Sequence, residues 1–203
     1  MTNSEMIQAF RVYGQQIGMQ KMRNILDEEI YVFLNSAVVE KIRQVLGTNV
    51  VAQFPDKVST QQNSISPINY VRTLVKTQIL SINGNVAVTP QVNNKDIQIM
   101  YILGVTVDGH KCRFIEPTDI EITIDDFCNA PSKEYPIFTF INNSFRLYNG
   151  TPIISEAVLK YIAMPAKIST NTSCDLPEYT HDEIVQLAVQ KYFASLNNTQ
   201  KVN

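Results

Sequence analysis

The chain reads as an α+β protein, a helical frame at both ends around an antiparallel, hairpin-rich middle. Three observations predict this. Apolar residues recur at helical spacing over residues 1–47, three turns rich in Asn, Asp and Gly punctuate residues 79–148, and helical spacing returns after residue 155. The expected organisation is a helical hairpin over 1–47, a loop over 48–68, an antiparallel β domain over 69–150, and C-terminal helices over 151–203. Those last helices are expected to pack on the N-terminal pair and to end in a flexible tail.

The first helix is expected over Glu5–Lys21, where Met6, Ile7, Phe10, Tyr13, Ile17 and Met19 approximate a 3.6-residue period. Asn24 with Asp27 three positions later resembles a capping box and is expected to start the second helix. Its stripe runs from Ile25 to Leu46, and Gly47 stands where a C-terminal cap is expected. Pro55, Pro67 and the polar run Ser59–Ser64 then signal a loop that orders on assembly.

Strand grammar follows. Ile79–Ile82 and Val86–Val88 flank Asn83-Gly84-Asn85; Ile97–Val107 and Lys111–Ile115 flank Asp108-Gly109; Ile137–Ile141 and Phe145–Tyr148 flank Asn142-Asn143-Ser144. Each is a hairpin signal, because Asn, Asp and Gly enter positive φ at low cost. Beyond them, Ala157, Val158, Tyr161 and Ile162 predict a helix over Ser155–Met164, stopped by Pro165. Thr180 and Glu183 form a capping box that opens a final helix to Leu196. The tail carries no apolar periodicity, so Asn197, Asn198, Thr199, Gln200 and Lys201 are candidates for an interface that orders against a neighbour.

Composition bounds the function. With 203 residues the chain is long enough to bury about 70% of its unfolded surface. A 44% apolar content excludes global disorder. The formal charge of -2 argues against a dedicated nucleic-acid binder, which carries a basic excess. The three cysteines, Cys112, Cys128 and Cys174, are odd in number and widely spaced, which fits a reducing compartment. Neither a secretory signal nor an apolar run of membrane-spanning length is present, so synthesis in a cytoplasm is expected.

The chemical inventory is nearly empty. His110 follows a turn, and His181 starts a helix beside Asp182 and Glu183, where acids favour the positive end. His110 and Cys112 share a strand face at i and i+2, yet a zinc site needs further ligands that no C-x-x-C pair supplies. Nucleophile elbows, phosphate loops and dinucleotide fingerprints are missing from the sequence. No catalytic, metal or cofactor residues are therefore assigned.

Glu116–Asp126 is the most informative stretch. Asp119, Glu121, Thr123 and Asp125 alternate with three isoleucines, so a strand there presents an acidic face. A solvated sheet face explains it. Inside a ring, the same face at Asp119, Glu121 and Asp125 becomes a channel-facing acidic belt that repels passing DNA. Calcium is a weaker option for the same carboxylates, because a binding loop wants Gly at the bend, and a metal-dependent hydrolase using the carboxylates of residues 116–126 is the enzymatic alternative.

The order of segments resembles a known family. Tyr135-Pro136-Ile137-Phe138 leads through Arg146-Leu147-Tyr148-Asn149-Gly150 to the run from Ala157 to Ile168. Cys174-Asp175-Leu176-Pro177-Glu178 and the Thr180–Leu196 helix follow. This resembles the C-terminal half of connector and adaptor proteins of short-tailed phages, including ring proteins of crAss-like phages. Leu26–Ile30 and Phe33–Ala37 look similar to the paired N-terminal helices of that class, whereas residues 69–115 match no connector feature. The resemblance implies a structural virion protein: a cyclic ring, a dodecamer in the family, below the portal protein and against adjacent tail ring proteins. Packaged DNA then passes without sequence-specific binding, no membrane is involved, and the protein is made in the host bacterial cytoplasm. Another virion component, such as a tail ring or a capsid decoration, is the nearest alternative.

Overall fold

The computed structural model describes residues 1–18, 25–50, 67–92, 95–151 and 153–199. It contains helices α1 (Asn3–Gly18), α2 (Asp27–Val50), α3 (Ile120–Asp125) and α4 (His181–Thr199), with short 3₁₀ helices at Pro67–Leu74 and Glu178–Thr180. Among the described residues eleven strands make antiparallel and mixed sheets, so the class is α+β. Two compact units result: Met1–Leu74 with Pro165–Asn203, and Val75–Met164.

In the first unit α4 packs on both α1 and α2. Met6, Phe10, Ile30, Leu34, Ile42, Ile184 and Ala188 are fully buried there. The Tyr192 ring meets Phe10 at 6.0 Å and Phe33 at 5.4 Å, both edge-on, the arrangement that aromatic quadrupoles prefer. α1 begins earlier than expected because Thr2 and Glu5 form a reciprocal capping box. The Thr2 N–H donates to the Glu5 carboxylate at 2.8 Å, and the Glu5 N–H to the Thr2 hydroxyl at 3.3 Å.

α2 departs from expectation at both ends. Its start lies at Asp27, where Glu29 accepts from the Leu26 N–H at 3.3 Å. Gly47 does not end it, since the helix runs on to Val50. An internal glycine costs about 1 kcal/mol, less than the apolar stripe upstream contributes. Of the expected 48–68 loop, residues 48–50 are helical, Pro67 opens a 3₁₀ helix, and 51–66 lie outside the described residues.

Asn35 anchors the return segment to α2: its amide donates to Ile168 O at 3.0 Å and its carbonyl accepts from the Ile168 N–H at 2.7 Å. The Thr180–Glu183 pair is used differently from a capping box. The Thr180 hydroxyl donates to Pro177 O at 2.7 Å, and Glu183 pairs with Lys41 at 2.5 Å. His181 is buried, its ring nitrogens set against Leu176 O at 2.9 Å and Met1 O at 3.2 Å. It is a structural histidine joining two backbone segments.

The second unit is built from β1 (Val75–Ile79), β2 (Ser81–Asn83), β3 (Val86–Val88), β4 (Gln91–Val92), β5 (Lys95–Asp96) and β6 (Ile99–Val107). It continues with β7 (His110–Lys111), β8 (Arg113–Phe114), β9 (Ile137–Ile141), β10 (Ser144–Tyr148) and β11 (Ala157–Ala163). One sheet has the order β1-β11-β6-β7, a second β2-β3-β10-β9-β8, and β4 pairs with β5. All three expected turns form as two-residue loops. Gly84 has φ 61°, Asp108 and Gly109 have 48° and 85°, and Asn142 and Asn143 have 49° and 57°. The last two pairs carry the double positive φ that a type I′ hairpin requires.

The edge strands of one sheet run on into the edges of the other. β1 continues into β2 through Leu80, whose N–H donates to Ala157 O at 2.8 Å. β7 continues into β8 through Cys112, whose N–H donates to Val105 O at 2.8 Å. The two sheets are thus walls of one flattened barrel, which removes their open edges. Val105, Val107, Leu159 and Tyr161 from one wall share its core with Ala87, Phe138, Phe145 and Leu147 from the other. Burial pushes the Cys112 thiol in this core up to about 12.

Two expectations are overturned here. Residues 157–163 form a strand instead of a helix: β11 pairs with β1 on one side and β6 on the other. The spacing of Ala157, Val158, Tyr161 and Ile162 fits both periods, and a short apolar run is decided by the partners available to it. The middle is also not wholly antiparallel, because β8 and β9 pair in parallel.

Candidate assembly surface

A parallel pair needs a long crossover, and residues 115–136 supply it. Arg113 and Ile115 N–H groups donate to Pro136 O and Phe138 O at 2.9 and 3.0 Å, so the excursion leaves and returns at one corner of the barrel. Its root is held tightly. A Cβ at Gly150, which has φ 71°, would lie 2.8 Å from Pro131 O, so only glycine lets the loop cross there.

The strand expected over Glu116–Asp126 is instead the helix α3. Pro117 and Thr118 turn the chain away from β8, the Asp119 N–H donates to Glu116 O at 3.0 Å, and the Thr123 N–H and hydroxyl both donate to Asp119 O. With no strand among the described residues paired beside it, the segment closes its hydrogen bonds locally. The acidic strand face proposed for Asp119, Glu121 and Asp125 is therefore not formed. Glu121 and Asp125, four apart, share a helix face, and Asp119 sits at the cap about half a turn away.

None of the α3 residues is buried. Ile122 is 74% exposed and Phe127, just past the helix, is 98% exposed. Behind them Asp126 accepts from the Cys128 N–H at 2.9 Å and the Asn129 amide at 2.6 Å, which hold its carboxyl below the ordinary value. Arg113 donates to Asn129 O at 2.9 Å and ties this turn to the barrel. The excursion is thus a braced structure that presents apolar side chains to solvent. Cys128 is exposed beside Phe127.

The excursion is also strongly acidic. Glu116, Asp119, Glu121, Asp125, Asp126 and Glu134 face a single cation, Lys133, giving -5 against a whole-chain -2 and leaving +3 on the rest. At the opposite corner of the barrel, where β1 passes into β2, a cleft of about 350 Å³ is lined by Leu80, Ile82, Gly84, Ile153, Ile154 and Ser155.

Of the other candidates, Asn197, Asn198 and Thr199 continue α4, and Gln200 and Lys201 lie outside the described residues. Among the described residues no group of His, Cys, Asp and Glu is placed to hold a metal ion, and no helix is long and apolar enough to cross a membrane. Sequence reading missed Phe127 and the cleft. Phe127 carries only a weak signal, a lone aromatic after an acidic run, and the cleft joins segments far apart in the chain. No protein-family model matches the chain, and no curated protein matches its sequence.

Proposed function

We propose that this chain is a non-enzymatic structural subunit of a phage particle, forming a ring of the head–tail connector below the portal. In that role it helps seal the DNA channel and attach the tail. Its partners are copies of itself in a cyclic ring, the portal protein and adjacent tail ring proteins. DNA passes without sequence-specific contact, and the protein is made in the bacterial cytoplasm before joining the virion. One observation carries this reading: an excursion braced at its root by Arg113 and Gly150 keeps Ile122 and Phe127 in solvent. With Phe114, Ile124 and Tyr135 also exposed on or beside the same excursion, the concentration of apolar side chains there supports a surface that another chain covers. The order of segments shared with short-tailed phage connectors supports the same assignment.

Quantitative mass spectrometry of purified particles tests it, counting this protein against portal and major capsid protein. The expected copy number equals the portal's or a small multiple of it. A number near the capsid protein's moves the chain to the shell, and absence from the particle sinks the structural role.

A further inference from the structure

We propose that His181 is a proton-operated clasp: as the imidazolium its ring binds the Met1 and Leu176 carbonyls together, and as neutral imidazole it releases one of them. The ring is buried, 4% exposed, at the first position of α4, with Nε2 2.9 Å from Leu176 O and Nδ1 3.2 Å from Met1 O. Both partners are backbone carbonyls, which accept hydrogen bonds and cannot donate them. Neutral imidazole carries one N–H, so either tautomer turns a nitrogen lone pair toward one of these oxygens. Only the imidazolium carries two donors and meets both.

A carboxylate stands by to balance the charge. Glu178, in the 3₁₀ helix before α4, accepts from the Met1 amine at 2.7 Å, and its carboxyl is held below the ordinary value first by that amine and also by the positive charge of His181. The other acids on these segments have partners of their own. Asp182 takes the Tyr13 hydroxyl and the Gln186 amide, Glu183 takes Lys41, Asp175 takes the Ala166 N–H, and Glu5 takes the Thr2 N–H. Cys174, on the return segment, is kept a neutral thiol by burial, which pushes its titration up. Against the imidazolium stand burial and the positive end of the α4 dipole. Neither relieves the neutral ring, whose lone pair still faces a carbonyl oxygen with no proton between them. The proton therefore governs how Met1 and Thr2 are attached. Thr2 caps α1 through its hydroxyl and N–H, so a bond to Met1 O ties the start of α1 to the start of α4. This contribution is present on the acid side of the His181 titration and is lost as pH rises through it.

Imidazole nitrogen NMR of the full chain tests the clasp, since His110 and His181 are the only two histidines. At the acid end both His181 nitrogens should carry a proton. As pH is raised between about 5 and 8, one nitrogen should lose it. The amide signals of Thr2 and Met6 should shift with the same midpoint, Met6 because its N–H donates to Thr2 O. His110, in the β6–β7 hairpin, is the internal reference, and Thr2 and Met6 should not follow its midpoint. In His181→Gln, which has no ring to titrate, these shifts of Thr2 and Met6 should vanish. Shifts that persist in His181→Gln would assign them to the Met1 amine and overturn the clasp. Should His181→Gln fail to fold, the native titration decides alone. A His181 ring holding a single N–H across the whole range, or Thr2 and Met6 signals indifferent to its midpoint, would overturn the proposal.

Discussion

β11 and α3 are two short runs in the same unit, held in place by opposite means. β11 lies between β1 and β6, and Ala157, Leu159 and Ile162 along it are fully buried. α3 has no buried residue and is kept by its own turn, by Asp119 and by the brace behind it. A short helix that stabilises nothing in its own chain is marginal alone, so its apolar side chains are free to act on another molecule. The barrel wall supplies stability, and the excursion supplies surface.

Leu159→Ala should produce the largest effect, a loss of about 2–5 kcal/mol from the transfer and cavity terms together. Urea unfolding followed through the Tyr161 signals measures it, and a loss below about 1 kcal/mol would mean that β11 does not anchor the core. Next comes Gly150→Ala, expected to cost about 1–3 kcal/mol because a Cβ would meet Pro131 O at a positive φ. If Gly150→Ala unfolds like the parent, the root of the excursion is looser than described.

Asp126 sharpens the comparison through pH. Its carboxyl is held low by Asn129 and the Cys128 N–H, so the folded form binds protons less readily than the unfolded chain. The brace is therefore complete above the ordinary carboxylate range and is lost as pH falls through the lowered value. The protection of the Cys128 and Asn129 amides, taken as exchange relative to the intrinsic rate at each pH, should fall on acidification, and in Asp126→Asn this dependence should disappear; equal protection profiles in both proteins would refute the brace. Smallest of all, Ile122→Ala and Phe127→Ser should leave stability within about 0.5 kcal/mol. A larger loss would show that these side chains pack within their own chain.

Much of the architecture was legible in advance, and the illegible parts share one cause. Asp108-Gly109 and Asn142-Asn143 announced their hairpins, and the stripes of α2 and α4 announced helices, because both signals are written over a few neighbouring residues. The exchange of identity between 157–163 and 120–125 was not legible. Both runs fit either period, and what decided between them was whether strands from elsewhere in the chain stood alongside.

By itself, then, the sequence determined the α+β class and the positive-φ turns, since local sterics and residue types suffice for each. Only the tertiary structure decided that the chain switches sheets at Leu80 and Cys112, that β8 and β9 run parallel, and that Phe127 stands in solvent opposite a cleft. Those features depend on hydrogen-bond ladders and burial among residues distant in sequence, which no local pattern encodes.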